Sequence, residues 1–178
     1  SRSEFSGASN NQKKEGKKGP SNIAIVGWIS FAVLFCCTAM SVVVVHLVPL
    51  LTDQGLTSKS AANVLLTLMI AGAFGRILGG KLADTLGAIK SYALMSLTQT
   101  SVIFLFPFID NWYLTYLVAI IFGVGFSGTM ATFLVCVRVM VTPSVLAKSM
   151  SIVGMSGWIG MAFGGLQGGV LFDLTGNY

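Results

Sequence analysis

Five long apolar runs dominate the sequence, at 23–50, 61–82, 91–108, 113–137 and 150–172, and only the second contains charged side chains. They hold 18 to 28 residues each. A helix rising 1.5 Å per residue needs about 20 residues to cross a hydrocarbon core of about 30 Å, so each run predicts a spanning helix. A membrane strand needs only about 9 to 11 residues and strict alternation of apolar and polar positions, which these runs lack. Composition agrees with this reading. Lys, Arg, Asp and Glu make up 10% of the 178 residues, against about 25% in a typical soluble domain. Seven of the 17 charges fall in the first 18 residues, which leaves ten for the remaining 160 positions. Such a chain cannot cover its surface for water. A soluble enzyme, a nucleic-acid binder and a disordered chain are excluded, and the expected fold class is all-α, a polytopic transmembrane helix bundle.

Residues 1–22 are rich in Ser, Asn, Gly and Lys without apolar periodicity, the composition of a solvated arm or linker that is expected to be disordered. Lys and Arg stay on the cytoplasmic side of short membrane loops. With the arm inside, the inner set holds Arg2, Lys13, Lys14, Lys17, Lys18, Lys81, Lys90, Arg138 and Lys148, with Arg76 near that end of its helix, and the outer set holds only Lys59. The outer connections instead carry Asp53, Asp110 and Asp173. The expectation is a multi-pass protein of a cell membrane with a cytoplasmic N-terminal arm. Five spans place the C-terminus outside, and the polar turn at 172–178 has the form of a connection to a further helix, so a fragment lacking one final helix is expected. Cys36, Cys37 and Cys136 lie inside apolar runs without C-x-x-C spacing and predict neither a disulfide nor a metal site. No cofactor is expected. Gly123, Gly125 and Gly128 spell G-x-G-x-x-G, but inside an apolar run, which excludes the strand–turn–helix context of a dinucleotide loop.

The most patterned segment is Gly79-Gly-Lys-Leu-Ala-Asp-Thr-Leu-Gly-Ala-Ile-Lys90, between the second and third runs. Gly80 and Gly87 permit close approach and a tight turn there, while Asp84 is placed to accept from helix N-terminal amides and from Lys90. The spacing of Gly80, Asp84, Gly87 and Lys90 resembles the G-x-x-x-D-[RK]-x-G-x-[RK]-[RK] loop of the major facilitator superfamily, with Thr85 and Ile89 in place of two basic positions. The resemblance implies the C-terminal half of a twelve-helix transporter, the runs standing for helices seven to eleven and the arm for the central linker. Segments 46–56 and 164–178, with Ala61 and Ala62, resemble the monocarboxylate porter and oxalate/formate antiporter branch. That implies secondary active transport of a small organic anion, coupled to protons or a counter-anion, with an N-terminal half and membrane lipid as partners.

Arg76 stands eight residues, about 12 Å of helix rise, inside Asp84. A guanidinium at that depth costs roughly 2.5–3.5 kcal/mol on insertion scales unless it is compensated. The branch resemblance implies that Arg76 binds the substrate carboxylate; snorkelling to the headgroups or pairing with Asp84 is the alternative. In this sequence Gly72 stands where some porters carry an aspartate, and the last run lacks the lysine of oxalate-type antiporters. His46 and Gln167 are further candidate substrate contacts, against an interfacial role before Pro49 and a packing role respectively. Gly75 and Gly79, and Gly160, Gly164 and Gly168 with Gly165 and Gly169, repeat at intervals of four and predict close helix packing. No run carries a cluster of catalytic side chains, so a membrane-embedded enzyme is disfavoured. A transporter for a neutral or drug-like solute and a non-transporting packing module remain as alternatives.

Overall fold

A computed structural model describes residues 21–109 and 111–176 of the chain. The expected arm at 1–20, Asp110 and the last two residues lie outside them. Five α-helices follow one another: α1 (Asn22–Asp53), α2 (Ser58–Leu86), α3 (Ala88–Ile103), α4 (Trp112–Met140) and α5 (Leu146–Thr175). Among the described residues there is no strand. Polar side chains start three of the helices: Ser21, Thr57 and Asn111 accept from the backbone N–H of Ala24, Ser60 and Tyr113, respectively. α1 continues past Pro49 to Asp53.

Among the described residues, four helices are long and apolar enough to cross a membrane. The third is shorter than its apolar run suggests. It ends at Ile103 after 16 residues, about 24 Å of rise, and a 3-10 turn at Phe106–Phe108 follows. Pro107 contributes to the stop: it has no N–H to bond the Ile103 carbonyl four residues back.

Close packing is organised by glycine. On α2 and α4, a Cβ at Gly72 would meet Ser127, one at Gly75 the Val124 backbone, one at Gly79 the Gly128 backbone, and one at Gly123 the Leu68 carbonyl. The contacts advance from Leu68 with Gly123 to Gly79 with Gly128, so α2 and α4 run parallel with their backbones in contact. α1 and α5 repeat the arrangement: Gly160 abuts Leu34, Gly164 abuts Thr38 and Ser41, and Gly168 abuts the His46 ring. α3 lies antiparallel along the other side of α4, with Gln99 against Gly125 and Met95 against Gly128. Small residues allow such approach where apolar burial drives nothing, because lipid is as apolar as the helix.

Two apolar clusters tie the pairs together. Leu47, Leu51, Leu68 and Phe122 form one with the turn after α3, and Val33, Met40, Val137 and Val153 form the other. The outer faces are apolar as well: Trp28 is 74% exposed and Phe74 is 67% exposed. So large an apolar exterior is incompatible with water and suits lipid.

Candidate functional site

Between the two parallel pairs lies a cavity of about 600 Å³, lined from α1 by Cys37, from α2 by Arg76, from α4 by Phe126, Met130, Ala131, Phe133 and Leu134, and from α5 by Gly154, Gly157, Trp158 and Met161. α4 and α5 touch little, which leaves room for it. Arg76 is the one charged residue in this lining. Its position follows from the packing of α2. Gly72, Gly75 and Gly79 turn one face of the helix onto α4, and Arg76, one residue after Gly75, is carried off that contact and is exposed.

The depth of Arg76 also follows from α2. The helix is 29 residues long with its midpoint at residue 72, so Arg76 stands four residues, about 6 Å, from the middle. With α2 centred on the bilayer, the guanidinium is well inside the hydrocarbon core. Among the described residues it makes no ion pair or hydrogen bond. Asp84 does not pair with it.

The other expected site residues are not brought to this cavity. His46 is buried in the α1–α5 contact, its Nε2 3.0 Å from the Gly165 carbonyl; a carbonyl only accepts, so Nε2 carries the proton. Beside it Ser41 donates to the Met161 carbonyl at 2.6 Å. One edge of His46 also lines a separate cavity of about 360 Å³ with Leu50 and Phe104. Gln167 is exposed and lines a third space, of about 590 Å³, with Val42, Phe163 and Leu171. Arg76, His46 and Gln167 therefore occupy three different places.

The patterned segment at 79–90 is less of a loop than its composition suggests. α2 runs through Asp84 to Leu86, and Gly87 alone separates it from α3, at φ 89° and ψ 153°. Gly79, not Gly80, makes the close approach to α4, and a Cβ at Gly80 would meet nothing within 4 Å. Asp84 and Lys90 are exposed, and the start of α3 has no side-chain cap. Asp84 sits inside the last turn of α2, so it is not the residue that precedes α3 and cannot serve as its N-cap.

One polar cluster was not anticipated. Gln99 on α3 is 2% exposed and donates through Nε2 to the Cys36 Sγ of α1 at 3.0 Å, while its Oε1 is buried without a partner. Ser96 lies 3.5 Å from the same sulfur. A lone amide in an apolar run was the available signal. Among the described residues no group of three or more His, Cys, Asp or Glu is placed to hold a metal ion.

No curated protein matches the chain. The family model described as Major Facilitator Superfamily matches residues 27–177, which takes in α2 to α5 and all but the first turn of α1. The chain belongs to the major facilitator superfamily, a family of membrane transporters.

Proposed function

We propose that this transporter carries a small organic anion, a monocarboxylate, and that Arg76 binds its carboxylate in the cavity between the α1–α5 and α2–α4 pairs. One observation carries the reading: a guanidinium four residues from the middle of the spanning helix α2, without an ion pair or hydrogen bond among the described residues, opening into a space of about 600 Å³ that is otherwise apolar. A charge so placed is costly unless something neutralises it, and a carboxylate both neutralises it and matches the two parallel N–H donors of the guanidinium. The branch resemblance of 46–56 and 164–178 to monocarboxylate porters and oxalate/formate antiporters points the same way.

In this reading the described bundle rocks against an N-terminal half around a site near the midplane. The empty carrier must reorient with an uncompensated cation in its cavity, whereas the loaded carrier reorients with a neutral pair. That asymmetry favours return with a second anion, and the cavity lining supplies no carboxylate that could take up a proton in its place. His46 and Gln167 would touch solute only along other stretches of the path.

Charge supports an orientation. Among the described residues, the end where α2 meets α3 carries Lys81, Lys90, Arg138 and Lys148 with Asp84, a balance of +3, and the opposite end carries Lys59 with Asp53 and Asp173, a balance of −1. We place the more basic end, with the N-terminal arm, in the cytoplasm of a cell whose plasma or inner membrane holds the protein.

The test is uptake by the protein with its N-terminal half in proteoliposomes. Lactate, pyruvate, formate and oxalate are offered at two external pH values, with and without internal anion. Arg76→Lys keeps the charge but loses the fork and is expected to lower kcat/KM for the transported anion by about tenfold or more. Uptake by Arg76→Lys at wild-type rates, or failure of every carboxylate to move or compete, would overturn the reading.

A further inference from the structure

We infer that Gly154, with Ala131 on α4, sets how bulky an apolar body the anion at Arg76 can carry, and that the cavity is built for a monoanion with a large aromatic or branched body rather than for a compact dianion. The inference rests on the assignment of Arg76 as the anion's anchor.

The glycines of α5 divide into two kinds. A Cβ at Gly157, Gly160, Gly164 or Gly168 would press on α1, so packing accounts for those four. A Cβ at Gly154 would meet nothing within 4 Å. Gly27, Gly55, Gly80, Gly87, Gly169 and Gly176 are equally open, but Gly154 alone among these lines the Arg76 cavity. Helix packing therefore does not require a glycine at 154. What its missing side chain leaves is space in the cavity, and Ala131 keeps the facing wall low.

The rest of the lining gives the chemistry of the occupant. Phe126, Phe133 and Trp158 offer flat apolar faces, and Met130 and Met161 offer flexible, polarisable ones, a surface suited to an aromatic or branched hydrocarbon body. At about 600 Å³ the space lies within the roughly 300–1,000 Å³ of ligand pockets and holds the volume of about twenty waters, more than a two- or three-carbon acid fills. Among the described residues the lining offers one cation, so on this side a second carboxylate on the same solute would face apolar wall, which burial penalises heavily.

The experiment measures binding and competitive uptake of pyruvate, phenylpyruvate and oxalate by the protein with its N-terminal half, in wild type and in Gly154→Ala, Gly154→Leu, Gly169→Leu and Arg76→Gln. Phenylpyruvate is expected to bind wild type about tenfold or more tighter than pyruvate, because a buried ring adds that much. Gly154→Leu is expected to remove most of this preference while pyruvate stays within about twofold, Gly154→Ala to lie between, and Gly169→Leu, an open glycine of the same helix away from the cavity, to behave as wild type. Equal losses for both acids in Gly154→Leu and Gly154→Ala, or no change in either, would overturn the inference, as would tighter binding of oxalate than of phenylpyruvate. Arg76→Gln separates the two levels. If it leaves every carboxylate bound as in wild type, the anion reading fails; if it abolishes binding while Gly154→Leu leaves the preference intact, only the size assignment fails.

Discussion

Replacing one glycine by alanine on α5 should change sign of effect along the helix, depending on which side of the packed stretch it falls. At Gly164 the new methyl would press on the Thr38 carbonyl oxygen and would stand 2.8 Å from the Ser41 Cβ and 3.0 Å from the Thr38 carbonyl carbon. Two of those three atoms are backbone, so no rotamer change relieves the overlap and α1 must move away. Overpacking of this kind costs about 1–3 kcal/mol. The separation also stretches the Ser41 bond to Met161 and the His46 bond to Gly165, both of which span the same contact. Interhelical bonds in membranes average about 0.6 kcal/mol, so the two add roughly 1 kcal/mol. Alanine returns about 0.8–1.0 kcal/mol of helix propensity over glycine. The balance for Gly164→Ala is a loss of about 1–3 kcal/mol. Gly154→Ala meets no atom, keeps the propensity term and gains up to about 1 kcal/mol. The chain carries its own reporter, since Cys37 and Cys136 are buried free thiols and Cys36 is half-buried. Thermal unfolding in detergent, followed by a thiol-reactive dye, should place Gly164→Ala below wild type and Gly154→Ala at or above it. Equal midpoints for the two variants, or the reverse order, would refute the assignment of the two glycines to different roles.

Gly87 and Gly80 make a second contrasting pair. Gly87 sits at φ 89° and ψ 153°, a region open essentially to glycine, so Gly87→Ala should cost about 1–3 kcal/mol in the same unfolding assay, whereas Gly80→Ala, with free space around it, should be neutral or stabilising. Gln99 supplies a test of opposite expectation: its Oε1 is buried without a partner, so Gln99→Leu, close in size and apolar, should unfold at or above the wild-type temperature despite losing the bond to Cys36. A clear drop for Gln99→Leu would show that the amide has a partner of its own in the working protein.

The helices could be read from the sequence because the property that makes them, some twenty consecutive residues that are predominantly apolar, is a property of the sequence itself. Their ends were less legible where the signal was one residue deep. α3 stops at Ile103, in part because of a proline four residues on, yet the apolar run continues to 108 and conceals the break. The segment at 79–90 looked like a polar loop because Lys81, Asp84 and Lys90 are polar, but charge at the end of a spanning helix marks where the bilayer stops and not where the helix stops. α2 accordingly continues to Leu86, and the close approach belongs to Gly79, as its spacing from Gly75 predicts, and not to Gly80. His46 and Gln167 stand apart from Arg76 for a related reason: all three are conspicuous as polar residues in apolar runs, and conspicuousness carries no information on which helix faces which.

Gly154 shows where pattern reading stops. Spacing by three and four along α5 runs 154, 157, 160, 164, 168, a continuous stripe on one face, and a stripe of small residues predicts contact with a neighbouring helix along its whole length. Four of its five members meet α1 and the first does not. Helices that pack by interdigitating ridges cross at an angle, and away from the crossing they diverge. Contact therefore lasts for a few turns only, and the same stripe passes from interface to cavity wall without any change in residue type. Where the divergence begins depends on the residues of α1 and α4 opposite it, on Val33 and Cys37 meeting Gly157 on one side and on Phe126 and Met130 of α4, packed against the cluster of Val33 and Val153, on the other. A cavity between helices is thus written in the relation of several runs, and Arg76 could be singled out from the sequence only because its cost inside a membrane is a property of one residue.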